Sequence, residues 1–273
     1  DSHLITGGEL GALGAKDVHA IDLDEDGDVD VLSASYWDDK IAWYENAGAD
    51  GFIIHTVSTE ADGANSVYSI DLDGDGDLDI LSASGNDNRI AWYENDGNEN
   101  FTAYTIKSNV KGAVSVMGGD VDGDGDVDVL SAADGDDEIT WYENNNEVFS
   151  SRNIASGSNE FKSIYCCDLD EDGDLDVLSA SFWNSTISWH ENDGAGVFNS
   201  HTISGDALGA SSVYADDLDG DGDVDILSAA ALDDKISWYE NDGNENFTSH
   251  TVTTDADQAV AVFAADINGD GDM

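Results

Sequence analysis

Asp71-Leu72-Asp73-Gly74-Asp75-Gly76-Asp77-Leu78-Asp79 is one of six versions of the same nonapeptide in a chain of 273 residues. The copies begin at Asp22, Asp71, Asp120, Asp168, Asp217 and Asp266, at intervals of 49, 49, 48, 49 and 49 residues. Carboxylates at positions 1, 3, 5 and 9 around a glycine at position 6 supply a compact set of oxygens suited to a hard cation. A spacing this regular places the set in a structural unit copied along the chain.

The residues flanking the second copy define that unit. Val67-Tyr68-Ser69-Ile70 reads as a strand A entering the acidic loop, and Leu78 to Ser84 as a strand B leaving it. Gly85 to Asn88 supply a turn, Ile90 to Asn95 a strand C, and Phe101 to Ile106 a strand D after the turn Asp96 to Asn100. Four short antiparallel strands are not stable alone, so the copies must pack face to face. Strand C agrees, with Ile90 and Trp92 on one face and Tyr93 on the other, as a sheet covered on both sides requires. Strands A and B are rich in Ala, Ser and Gly, as expected where sheets crowd near an axis.

A four-stranded unit of this length predicts an all-β fold, a β-propeller, over a calcium-binding β-helix, whose motif repeats about every nine residues. The expected complete blades are residues 17–58, 67–108, 115–155, 162–204 and 212–253, within a single propeller segment spanning 1–273. Residues 1–8 read as strand D of a split sixth blade, and 259–273 as its strand A and truncated acidic loop. This ending leads us to expect a longer chain, or self-assembly through the incomplete blade.

The candidate metal ligands are Asp22, Asp24, Asp26, Asp28 and Asp30 in the first loop and Asp71, Asp73, Asp75, Asp77 and Asp79 in the second. They continue as Asp120, Asp122, Asp124, Asp126 and Asp128, then Asp168, Asp170, Asp172, Asp174 and Asp176, then Asp217, Asp219, Asp221, Asp223 and Asp225. Position 7 is expected to offer its backbone carbonyl and the other positions their side chains. The sixth loop, Asp266, Asn268, Asp270 and Asp272, is incomplete, because Asn replaces Asp at position 3 and position 9 lies beyond Met273. Calcium, with 6–8 oxygen ligands in flexible geometry, suits these loops better than magnesium, which demands a strict octahedron. Zinc or copper would call for His or Cys, absent from the loops. An EF-hand would need Glu at position 12, where this chain has Ser33, Ser82, Ser131, Ser179 and Ser228, and it would need flanking helices. Crowded carboxylates repel one another, so calcium is expected to act as a staple joining strand A to strand B.

The Asp-x-Asp-x-Asp-Gly-x-x-Asp loop between strands A and B resembles the FG-GAP repeats of integrin α-subunit propellers. With Leu81-Ser82-Ala83-Ser84 and Trp92-Tyr93-Glu94-Asn95 added, the unit is more similar to the FG-GAP-like or VCBS repeats of secreted microbial proteins. That resemblance implies a calcium-bearing extracellular propeller used for adhesion, carbohydrate contact or assembly. The chain has no proline, so it lacks a Gly-Ala-Pro element, and integrin-like ligand recognition is not implied.

The formal net charge is −53, and thirty of the 61 acidic residues sit inside the nonapeptides. Such a polyanion is repelled by nucleic acid and by anionic lipid headgroups. With 40% hydrophobic residues and aromatics recurring in register, the acidity does not signal disorder. No apolar run approaches the roughly 18 residues of a membrane helix. The expected location is secreted or at the cell surface, with an extracellular protein or glycan as partner.

No catalytic set emerges. His55, His201 and His250 share one strand D position, with His3 equivalent, and His190 replaces the strand C tyrosine. A repeated position points to structure, and no unique Ser/His/Asp or Cys/His group stands out, so no enzyme activity is expected. A non-catalytic part of a polysaccharide-degrading enzyme is the remaining enzymatic alternative. Cys166 and Cys167 stand where other copies have Gly118-Gly119 and Ala264-Ala265, which favours small-residue packing over a vicinal disulfide. Trp37 and Trp183 fall in B–C turns; packing between loops is the preferred reading, and stacking on sugar rings in a lectin-like module is the alternative. An extracellular fibre subunit is a third. Asn100, Asn184 and Asn246 head Asn-x-Thr sequons that would accept N-glycans in a suitable secretory pathway.

Overall fold

The computed structural model describes residues 12–157, 160–266 and 273, which contain twenty strands and one 3-10 turn, Gly48–Asp50. The strands form five four-stranded antiparallel sheets, the blades of a propeller-like repeat fold. The first blade is β1 (Ala15–Ile21), β2 (Asp30–Ser35), β3 (Lys40–Asn46) and β4 (Phe52–Ser58). The second is β5 (Ala64–Ile70), β6 (Asp79–Ser84), β7 (Arg89–Asn95) and β8 (Phe101–Ser108). The third is β9 (Ala113–Gly119), β10 (Asp128–Ala133), β11 (Glu138–Glu143) and β12 (Ser150–Ser156). The fourth is β13 (Phe161–Cys167), β14 (Asp176–Ser181), β15 (Thr186–Asn192) and β16 (Phe198–Ser204). The fifth is β17 (Ala210–Asp216), β18 (Asp225–Ala230), β19 (Lys235–Asn241) and β20 (Phe247–Thr253).

Within each blade the strands pair in chain order, so the acidic nonapeptide is the A–B connection and its position 9 is the first residue of strand B. Antiparallel order puts the A–B loop and the C–D turn at one end of a blade. The B–C turn and the link to the next blade lie at the other, where Tyr36 N–H donates to the Gly14 carbonyl (3.0 Å) and Gly85 N–H to Gly63 (3.0 Å).

The alternation of strand C explains the core. Trp43 of the first blade and Tyr93 of the second lie in one buried cluster with Leu32, Ile41, Val67 and Ile80. Trp92 and Tyr142 share the next, and Trp189 and Tyr239 share a third with Leu178, Val213 and Ile226. In these three clusters tryptophan comes from one blade and tyrosine from the next, so the facing sheets complete one another's core. The described residues divide into two compact units. One comprises residues up to Gly118 with Asp126–Asp136 and Trp141–Ser151, and the other Gly119–Gly125, Asp137–Thr140 and residues from Arg152 onward.

The strand expected over residues 1–8 lies outside the described residues, as do Asn268, Asp270 and Asp272. Residues 259–265, expected as a strand A, are not in a ladder. They nevertheless run beside β17: Val262 N–H donates to Ser212 Oγ (3.3 Å), and Ser211 Oγ–H donates to the Ala259 carbonyl (2.7 Å). Val116 N–H to Ser66 Oγ (3.3 Å) and Asn65 Nδ2–H to the Ala113 carbonyl (2.8 Å) are the corresponding bonds between β9 and β5. Lateral contact alone is not a strand, because a ladder needs a partner bonded edge to edge.

Candidate metal centres

The nonapeptide folds through its own carboxylates. The position 1 side chain accepts the N–H of the position 6 glycine in all five complete loops: Gly27 to Asp22 (3.0 Å), Gly76 to Asp71 (3.1 Å), Gly125 to Asp120 (3.1 Å), Gly173 to Asp168 (3.0 Å) and Gly222 to Asp217 (3.0 Å). Position 3 accepts from position 5, and position 5 from position 7, as at Asp73 (3.1 Å) and Asp75 (3.0 Å). The bonds at positions 3 and 5, each to the N–H two residues on, are Asx turns in succession. The glycine at position 6 is required by backbone geometry, since its φ is between 97° and 103° in all five complete loops while a β-carbon there would meet nothing. Position 4 is milder, and Glu25 and Glu171 adopt φ of 58° and 62° there.

Three aspartates per loop bring carboxylate oxygens within 4.8 Å of one another. The groups are Asp22, Asp24 and Asp30; Asp71, Asp73 and Asp79; and Asp217, Asp219 and Asp225 in the first, second and fifth loops. In the third and fourth loops position 5 takes the place of position 9, giving Asp120, Asp122 and Asp124, and Asp168, Asp170 and Asp172. Asp26, Asp75 and Asp221 stand outside these groups. So do the position 7 residues Asp28, Asp77, Asp126, Asp174 and Asp223, whose side chains face the C–D turn. A methyl group on Gly97, Gly194 or Gly243 would run into the carboxylate of Asp77, Asp174 or Asp223, and Asn146 N–H donates to Asp126 (3.4 Å).

Position 9 has a second task that sequence reasoning missed. Asp79 is buried, and its two oxygens accept the N–H of Leu72 (3.1 Å) and of Asn95 (2.8 Å). Asp30, Asp176 and Asp225 do the same for Leu23 and Asn46, Leu169 and Asn192, and Leu218 and Asn241. The partner asparagine ends strand C, and its amide in turn donates to the position 8 carbonyl, as Asn95 does to Leu78 (3.2 Å). The constant separation of 16 residues between the two was the available signal. The indole N–H of Trp92 sits beside Asp79, favouring its ionised form without reaching hydrogen-bonding geometry.

The loops are electrostatically strained as they stand. Burial pushes the carboxyls of Asp79 and Asp176 up to about 6 and also raises Asp225. Asp24, Asp73 and Asp170 are raised too, by partial burial and then by neighbouring carboxylates. The Oδ1 atoms of Asp22, Asp120 and Asp168 are buried without a partner. An orphaned anionic oxygen beside two more carboxylates matches an all-oxygen donor set for a hard divalent cation.

The remaining sequence candidates separate clearly. His55, His201 and His250 bond Glu45 (2.8 Å), Glu191 (2.7 Å) and Glu240 (2.6 Å) while lying over Trp43, Trp189 and Trp238, with ring centroids 4.3–4.8 Å apart. Tyr104 fills that place over Trp92. Cys166 and Cys167 are free thiols in β13, and burial pushes Cys166 up to about 12. Trp37 and Trp183 are 74% and 62% exposed, yet each also touches the link before its blade: a methyl group on Gly14 would run into the Trp37 ring, and the Trp183 indole lies beside the Glu160 carboxylate and lowers its pKa. Each stands edge-on to its neighbour, Tyr36 or Phe182, which Lys16 or Lys162 overlies at 5.6 or 6.0 Å. Asn100 and Asn246 are exposed in C–D turns, their amides donating to Asp96 and Asp242, and Asn184 is exposed in a B–C turn. Among the described residues no helix is long and apolar enough to cross a membrane.

A model of the FG-GAP-like repeat matches residues 22–82, 71–131, 120–179, 168–228 and 217–273. No curated protein matches the sequence. Among solved structures the chain is similar to an Agrocybe aegerita lectin that recognises non-reducing terminal N-acetylglucosamine, with 20% identity and a TM-score of 0.63 over 89% of this chain and 67% of that one. It is also similar to a Bacteroides fragilis protein described as a 6-phosphogluconolactonase (12% identity, TM-score 0.62, 85% and 69% covered). A Bacteroides ovatus auxiliary nutrient binding protein gives 10% identity and a TM-score of 0.59, with 88% and 58% covered. At these identities the likeness concerns the fold.

Proposed function

Because this chain belongs to the FG-GAP-like repeat family, we propose that its aspartate loops hold calcium and that it serves as a non-enzymatic interaction module of a secreted or cell-surface protein. The observation that supports calcium is the recurrence, in all five complete loops, of three carboxylates with oxygens within 4.8 Å of one another. The position 1 and position 3 aspartates, with position 5 or position 9, would hold the ion. It would supply positive charge to a crowded anionic turn and so fasten strand A to strand B. Partly exposed carboxylate sites of this kind fill where calcium is abundant, which accords with an extracellular setting. Calorimetry tests the reading. Moving from EDTA to calcium at about a hundred times Kd should stabilise each occupied site by about 2.7 kcal/mol. Superimposable melting curves in EDTA, magnesium and calcium would refute it.

A second reading, glycan contact, is favoured by the exposure of Trp37 and Trp183 and by the lectin among the structural neighbours. Flat exposed indoles at the end of the blades away from the aspartate loops are suited to stacking on sugar rings. A glycan array should then show binding that Trp37→Ala and Trp183→Ala diminish. Signals unchanged in both variants would remove the tryptophans from the interaction.

A further inference from the structure

The fourth blade differs from the others at one buried position. Tyr44, Tyr93, Tyr142 and Tyr239 place a phenol oxygen 3.0–3.4 Å from a strand B serine, Ser33, Ser82, Ser131 or Ser228. In β15 the equivalent residue is His190, whose Nε2 lies 2.9 Å from Ser179 Oγ and whose Nδ1 lies 2.8 Å from Ser200 Oγ on β16. The shorter ring keeps the old bond and gains a second one outward, toward a half-open cleft of about 440 Å³.

The chemistry of that cleft sets it apart from the rest of the molecule. One wall is residues 153–156 of β12, and the other presents the hydroxyls of Thr186, Ser188, Ser200 and Thr202, the amide of Asn184 and the ring of His190. In a chain with 61 acidic residues, none lines this space, and no Lys or Arg does either. Burial holds the His190 imidazole down at about 4, so the ring is neutral at physiological pH. A cation would find no carboxylate here and would go to the aspartate loops. An anion would face the overall charge of −53 without a compensating base. An apolar ligand would strand the hydroxyls without partners. What remains is an uncharged molecule with many hydroxyls, and the volume falls at the small end of ligand sites, suited to one or two sugar rings.

We propose that the cleft between β12 and the β15–β16 face of the fourth blade binds the end unit of an uncharged glycan through Thr186, Ser188, Ser200 and Thr202. Trp183, exposed and immediately before Asn184, stands at the same turn as the cleft. The site gives the glycan reading a defined pocket and a ligand class, and it does not depend on Trp37 or on calcium.

The test is saturation-transfer NMR with methyl glycosides of neutral hexoses and N-acetylhexosamines, alongside a methyl glucuronide of matching size. The ring-nitrogen correlations of His190 report the location. Protein is produced without N-glycosylation, because Asn184 heads a sequon. At least one neutral glycoside should bind and shift the His190 resonances, with the glucuronide weaker by about tenfold. His190→Tyr, which restores the residue found in the other four blades, should weaken binding by about tenfold or more, because the longer side chain takes space from the cleft and the Nδ1 that holds the Ser200 hydroxyl in place is lost. Trp37→Ala should leave it unchanged. Should His190→Tyr melt differently from the native chain, Ser200→Ala on the exposed strand carries the same expectation. No neutral glycoside shifting the ring, equal binding of the glucuronide, or His190→Tyr binding as the native chain does would each overturn the proposal. Loss in Trp37→Ala with retention in His190→Tyr would overturn it too, in favour of the exposed tryptophan alone.

Discussion

Replacing Asp79 by alanine separates the two roles of the nonapeptide. The substitution deletes a buried carboxylate that accepts the N–H groups of Leu72 and Asn95 at 3.1 and 2.8 Å. Each bond to a charged acceptor is worth about 1.5–3 kcal/mol, and removing the acceptor leaves both donors unpaired in the interior. Part of that loss is offset, because burial already raises the Asp79 carboxyl to about 6 and alanine relieves the cost of holding it ionised. The net expectation is a destabilisation of about 2–4 kcal/mol, or roughly 5–10 °C in melting temperature. Asp73→Ala makes the comparison informative, since the Asp73 side chain accepts only from Asp75 N–H within the exposed loop (3.1 Å). Thermal unfolding in EDTA should therefore show Asp79→Ala melting well below native protein and Asp73→Ala close to it. In calcium both should fall below the native chain. If the two variants melt alike in EDTA, position 9 is only a ligand and the reasoning fails.

Other expectations follow from the same geometry. Gly76 has a φ of 101°, so Gly76→Ala should cost about 1–2 kcal/mol by urea unfolding, whereas Gly74→Glu should be nearly neutral because Glu25 and Glu171 hold that position elsewhere. His190 titrates at about 4 in the fold against about 6.5 unfolded, chiefly through burial and secondarily through His201. Above pH 6.5 it is neutral in both states and contributes nothing. As pH falls from 6.5 toward 4 the unfolded chain takes up a proton that the fold refuses, so about 2 kcal/mol is lost between pH 7 and 5. His190→Tyr should flatten the acid side of the stability curve in that window, and an unchanged slope would assign it to the carboxylates. His250→Ala removes a ring stacked on Trp238 and bonded to Glu240, and should lower stability by about 1 kcal/mol without changing calcium affinity measured by isothermal titration.

The sequence by itself determined the repeat, the strand order within it and the chemistry of the loop. Those features depend on neighbours a few residues apart: alternation along a strand, Asx turns between successive aspartates, and the φ near 100° that only glycine adopts comfortably at Gly76. Trp92 and Tyr93 even announced that both faces of a blade are covered. The tertiary structure decided which groups meet. Position 9 became a keystone only when strand C brought Asn95 back beside Asp79, and which three carboxylates converge differs between loops of nearly identical sequence. Exposure of Trp37 and Trp183 likewise followed from how the blade ends face solvent, which turn composition did not specify. His190 is the sharpest case. As a sequence variant it is one substitution at a repeated position, but apposed to residues 153–156 from the preceding blade it borders an uncharged cleft in a polyanion. Local bonding is encoded locally, whereas burial and apposition arise from segments dozens of residues apart, and there the acidic loops receded and the fourth blade stood out.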